Sequence, residues 1–178
     1  RRPKTDERMQ LDGALRLPTR IELARDRGVE LPSYTGDGLR ETVFRPRYAN
    51  LGEYLQGFSH TVAGLQDHEA LERTAFELCE DCQEEGVRYV EIRFAPQLHV
   101  RRGFEFSDVV RAVDAGIRRA SDTFNARPES TSGAAPRFAA GIILCALPPF
   151  PPALSERYRR PHEELPEAAP RDGSGRGG

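Results

Sequence analysis

The sequence has no tryptophan, one methionine, three cysteines and four histidines in 178 residues. Cys79, Cys82 and Cys145 are too few and too unevenly spaced for a disulfide framework, which predicts a reducing, cytoplasmic setting. No apolar run approaches the ~20 residues that a membrane helix needs, so no membrane association is expected. The opening RRPKTDER has no apolar stretch behind its positive charges and does not read as a secretory signal; without a starting methionine, residues are expected to be missing before it. Neither sign of charge dominates: 26 basic and 28 acidic residues leave a net charge of −2. That balance argues against a nucleic-acid partner. No aromatic residue interleaves the pair Arg101-Arg102, which reads as a solvated loop.

What is present suits one globular domain with a tail. At 38% hydrophobic, the chain is long enough for a sizeable core. The composition changes near Leu147: seven of the 14 prolines lie in residues 148–178, and the end, RDGSGRGG, is linker-like. The expected organisation is a folded part over 1–147 and a disordered Pro/Arg/Gly-rich tail over 148–178. Before the break, strand and helix signals alternate. Residues 6–11 read as a strand with Arg8 and Gln10 on one face, Met9 and Leu11 on the other. Thr19 and Glu22 form a T-x-x-E capping box for a helix over RIELARDR, closed by Gly28. Residues 29–50 look irregular. Asp67 caps a helix with an apolar face of Leu71, Ala75, Leu78 and Cys82, ended by Gly86. VRYVEIRFA follows as a second strand. Ser107 caps a helix with Val109, Val113, Ile117, Ala120 and Phe124 inward, and residues 137–147 form a third strand. The near-continuous apolar character of strands 2 and 3 predicts a parallel sheet covered on both faces, in an α/β architecture.

Four segments, KTDERMQLDGALRLPTRIELARDRGVELP, GVRYVEIRFAPQLH, FSDVVRAVDAGIRRA and GIILCAL, together resemble the N-terminal part of the adenosine deaminase family, in order and with similar spacing. The resemblance covers residues 3–147, about four-fifths of the chain. It implies a partial (β/α)8 TIM-type barrel, about the first three βα units, of a zinc-dependent hydrolase that converts adenosine or deoxyadenosine to inosine or deoxyinosine in purine metabolism. The first strand of that family carries an H-x-H zinc pair, and here Arg8 and Gln10 occupy the two positions. Arginine is always protonated and offers no lone pair, and an amide oxygen is a poor zinc donor. The resemblance assigns substrate-site remnants to Asp12, which matches the ribose-contacting aspartate, to Gly13 beside the pocket mouth, and to Tyr54 and Phe58 of the apolar lid. Asp12 also reads as a structural cap of the turn before Gly13, and both readings stay open here.

The remaining family signatures, the H-A-G-E segment and the paired aspartates, have no counterpart after Leu147. A full barrel takes roughly 250 residues and assembles its site from several strand ends. No catalytic residue, no metal ligand and no cofactor are therefore expected in this chain, zinc belonging to the intact family. The expected function is a truncated, inactive deaminase-like protein that binds an adenosine-type nucleoside weakly. The alternative is a non-catalytic pseudoenzyme that binds another chain through its open sheet edge or its proline-rich tail. An abrupt change to a Pro/Arg/Gly-rich tail is also what a shifted reading frame in GC-rich DNA produces. Three parallel strands alone leave open edges and one uncovered face, so Tyr89, Val90, Ile92, Ile142 and Ile143 are expected to meet water or a second chain, with marginal stability as the result. The remaining signals are read as structural. Cys79 and Cys82 form a C-x-x-C within a helix and are assigned to core packing. His99, after a strand end, reads as a surface loop residue, and Arg93 as a buried strand charge paired with Asp12, Glu91 or a neighbouring strand end.

Overall fold

A computed structural model describes residues 4–44, 47 and 51–146; of residues 4–8 and 51–56 only the backbone is described. The proposed tail lies outside the described residues. All described residues but Ala146 belong to a unit that ends at Cys145.

Three strands, β1 (Lys4–Gln10), β2 (Val87–Phe94) and β3 (Ala139–Leu144), form a parallel sheet in the order β1-β2-β3. Parallel neighbours need long crossovers, and helices supply them. Between β1 and β2 lie α1 (Leu17–Asp26), α2 (Gly36–Thr42), α3 (Leu51–Gly64) and α4 (His68–Glu84). Between β2 and β3 lie α5 (Phe106–Asn125) and the single turn α6 (Pro128–Thr131). The register sets Met9 opposite Ile92 and Gln10 opposite Arg93 on one side of β2, and Ile92 opposite Ile142 on the other.

The long helices follow their sequence signals. Asp67 caps α4, its carboxylate accepting the Ala70 N–H at 2.9 Å. Gly86 ends α4 at φ +85°, a conformation that costs only glycine nothing. Leu71, Ala75, Leu78 and Cys82 on α4 and Val109, Val113, Ile117, Ala120 and Phe124 on α5 are all buried, as their periodicity predicts. They meet Val87, Val90, Ile92 and Phe94 of β2 in one core. Asn125 joins α5 to β3, bonding both the N–H and the carbonyl of Phe138.

Several details differ from expectation. α5 is capped by Glu105 and Asp108 rather than by Ser107. Thr19 and Glu22 lie inside α1, which starts at Leu17 and has no side-chain cap. Both instead tie α1 to α4: Thr19 donates to Glu77 at 2.6 Å, and Arg73 bridges Glu77 and Glu22. The stretch 29–50 is not irregular throughout, since α2 buries Leu39 in a second small core with Ala24, Leu31 and Val43. The sheet is covered by helices on one face and leaves the other uncovered, as three strands alone are expected to do, but the residues that meet water differ. Val90 and Ile92 do not meet water; both are fully buried against α4 and α5, and Ile142 packs on the same core. The opposite face carries exposed Gln10, Tyr89 and Arg93, with Glu91 and Ile143 half-buried. Arg93 is thus not a buried charge. It stands on the open face.

Candidate functional site

The motif L-D-G-A-L-R follows β1 directly, and Leu11, Leu15 and Arg16 anchor it. The Leu11 N–H continues the ladder to the Arg93 carbonyl at 3.1 Å. Leu11 and Leu15 are buried in the main core. Arg16 grips α4 through both Asp81 oxygens, at 2.6 and 3.0 Å to Oδ1 and 3.2 Å to Oδ2. These anchors hold a single 3-10 turn, Asp12–Ala14, at the C-terminal end of β1. In barrels of this type that end of the strands carries function.

Asp12 is 1% exposed, and its Oδ1 lies 2.9 Å from Nε2 of His99, which is wholly buried. His99 follows the short turn Pro96–Leu98 at the end of β2. Its Nδ1 lies 2.8 Å from the carbonyl of Leu65, just beyond α3. A carbonyl only accepts, so Nδ1 carries a proton, and Nε2, turned to the carboxylate, attracts it when that nitrogen is protonated as well. The Asp12–His99 approach is off the line of a hydrogen bond, and both Asp12 oxygens lack a directional partner. The reading of His99 as a surface loop residue is therefore corrected. The available signal was its place, one turn past a strand end and between apolar Leu98 and Val100.

The other remnant positions are spread along the elements. Gly13 is exposed in the 3-10 turn. Phe58 is half-buried on α3, which lies against that turn, and Tyr54 is on the same helix with its side chain outside the described residues. Gln10 is exposed on the open sheet face, and Arg8 belongs to β1 with its side chain likewise outside the described residues. Cys79 and Cys82 are buried core residues. Burial, and then the neighbouring Cys82, push the Cys79 thiol up to about 12, which suppresses the thiolate that metal binding and nucleophilic attack require.

Residues 3–132 match the family model described as Adenosine deaminase. The chain belongs to the adenosine deaminase family. An adenosine deaminase of Clostridium perfringens is 45% identical over 124 residues, 69% of this chain and 37% of the relative. The chain thus spans a little over a third of the length of that curated relative. Among solved structures, the adenine deaminase from Arthrobacter aurescens superposes with a TM-score of 0.61 at 23% identity, covering 91% of this chain and 55% of that one. Arabidopsis ADAL complexed with GMP gives a TM-score of 0.59 at 23% identity, covering 80% of this chain and 40% of that one. These likenesses show the fold: three βα units of a deaminase-type barrel.

Arg8 and Gln10, which the resemblance sets at the zinc-histidine positions, are a permanent cation and an amide, neither suited to zinc. Among the described residues no three His, Cys, Asp or Glu side chains come together to hold a metal. His99 has its Nδ1 taken by the Leu65 carbonyl and its Nε2 turned to the Asp12 carboxylate at 2.9 Å.

Proposed function

We propose that this chain is the nucleoside-recognising portion of an adenosine deaminase-type barrel, that it binds an adenosine-type nucleoside through Asp12, and that alone it does not deaminate it. The observation that carries this reading is the Asp12 carboxylate, held at the C-terminal end of β1 with both oxygens lacking directional partners, two residues after Gln10. A carboxylate so placed suits a ribose hydroxyl, which can donate to it. The names of the relatives and the GMP complex of the Arabidopsis protein support the ligand class. Gly13 in the turn and Tyr54 and Phe58, by their positions on α3, complete the proposed pocket edge. Deamination needs an activated water and a general acid/base near the purine, and their loss is inferred from Arg8 and Gln10 at the resembled zinc positions and from the absence of an H-A-G-E segment from the sequence.

The same reading keeps 1–147 as the barrel portion and 148–178 as a disordered tail, in a cytoplasmic setting. None of Cys79, Cys82 and Cys145 is in a disulfide, and no described helix is long and apolar enough to cross a membrane. The test is an assay of adenosine conversion to inosine by the purified chain, with and without added Zn2+. No turnover is expected in either case, and zinc-dependent inosine formation would overturn the claim of inactivity.

A second reading is favoured by the sheet itself. Among the described residues, β1 and β3 pair only with β2, leaving an unpaired side on each, and Tyr89 is 40% exposed on the open face. A further chain that supplies the next strands of a barrel would cover both. Light scattering of the chain, alone and mixed with an intact homologue, tests this; a strict monomer in both samples counts against it.

A further inference from the structure

Asp12 raises a problem that the ligand reading alone leaves open. A carboxylate that is 1% exposed and without directional hydrogen bonds loses its hydration and has nothing to fix its rotamer. One contact opposes this when the His99 ring carries both protons, the 2.9 Å approach of Nε2 to Oδ1. His99 is itself held from behind, since its Nδ1–H donates to the Leu65 carbonyl at 2.8 Å, which fixes the ring plane and directs Nε2 to the carboxylate. The anchor is firm. Gln66, the next residue after Leu65, donates to the carbonyls of Val62 at 2.7 Å and Leu98 at 3.0 Å, fastening the end of α3 to the turn that carries His99. Three segments distant in sequence, the turn after β1, the turn after β2 and the end of α3, thus converge on one ring.

We propose that His99 is a positioning residue: it aims the Asp12 carboxylate at the ligand hydroxyl, and it keeps that aim because the Leu65 carbonyl locks its ring. The proposal rests on the nucleoside-binding reading above. In it Asp12 Oδ1 is held against Nε2, and Oδ2 remains to accept from the ligand. α3 lies against the Asp12 turn and Asp12 is 1% exposed, so binding requires that the ligand displace what covers the carboxylate.

Two variants of the full chain separate positioning from packing. In His99→Asn the amide reaches the Nδ1 position and keeps the Leu65 bond but stops short of Asp12. In His99→Gln the longer amide reaches the Nε2 position and keeps the Asp12 contact. Inosine binding is read by calorimetry, and the Asp12 side-chain carboxyl by its 13C resonance, assigned with Asp12→Asn. The expected result is a loss of about tenfold or more in inosine affinity for His99→Asn and a loss within about threefold for His99→Gln, as for a bond to a charged group. The carboxyl resonance moves in His99→Asn and stays in His99→Gln. Equal weakening by both variants, or full affinity in His99→Asn, overturns the proposal while leaving the nucleoside reading intact. If the wild-type chain binds no inosine, that reading falls, and the carboxyl resonance alone decides: movement only in His99→Asn supports positioning, and no movement overturns it. If His99→Asn does not fold, the His99 Nε2 15N resonance is compared between the wild-type chain and Asp12→Asn. A shift supports the contact, and an unchanged resonance overturns it.

Discussion

At the start of α4 the Asp67 carboxylate accepts the Ala70 N–H and is gripped by Arg27, Nε at 2.6 Å and a terminal nitrogen at 2.9 Å. One side chain caps a helix and joins it to the end of α1. The Arg27 hydrogen bond, and then the Ala70 N–H, hold the Asp67 carboxyl below the usual carboxylate range. A depressed carboxylate contributes stability above its unfolded value of about 4, and that contribution is lost as pH falls through the lower folded value. Asp67→Ala is expected to cost about 1–2 kcal/mol at pH 7, by urea unfolding. The gap between variant and wild type is expected to close as pH falls below about 4. A gap that stays constant down to strong acid contradicts this account of the cap. Thiol labelling gives a second check among single residues. Cys145 is half-buried and Cys79 is wholly buried, with its thiol pushed up to about 12. Cys145 is expected to react with iodoacetamide in the native chain, and Cys79 only after denaturation. Native reaction of Cys79 at a rate matching Cys145 runs against its place in the core.

Between elements, the decisive contact is that of α4 with α5. A Cβ on Gly116 would collide with the Glu72 carbonyl oxygen and lie 2.9 Å from Ala75 Cβ and 3.0 Å from the Phe76 nitrogen. Backbone atoms cannot swing aside as a flexible side chain does. Gly116→Ala is therefore expected to destabilise by about 1–3 kcal/mol, despite the better helix propensity of alanine. An unchanged urea midpoint would show that the helices are not packed this closely. The elements also show what can be read from residues alone. α4 and α5 are legible because long amphipathic periods and an aspartate cap leave few alternatives. α2 is not, because its seven residues sit among Ser, Thr, Gly and Pro and its one deep anchor is Leu39. The T-x-x-E of Thr19 and Glu22 is the same pattern whether it caps a helix or reaches across to Glu77 and Arg73; only packing tells them apart. In β2, the run from Tyr89 to Phe94 alternates strictly, and the single covered face was present in that alternation though its apolar content suggested two. The burial of His99 depends on where α3 ends, which no local pattern states.

For the whole molecule, the covered face is apolar and the open face is polar, so exposure falls mainly on the unpaired sides of β1 and β3 rather than on a large apolar surface. The proposed boundary near Leu147 predicts that brief, dilute proteolysis removes the C-terminal segment first and leaves a fragment ending close to Cys145. Early cuts spread through α4 and α5 are the contrary outcome. The central claim concerns Asp12, proposed to accept from a nucleoside hydroxyl in a chain with Arg8 and Gln10 on the preceding strand. Calorimetric titration of inosine into the full chain and into Asp12→Asn tests it most directly. The account predicts saturable binding to the wild-type chain and a loss of about tenfold or more in Asp12→Asn. No binding to the wild-type chain, or equal affinity in both, would contradict it.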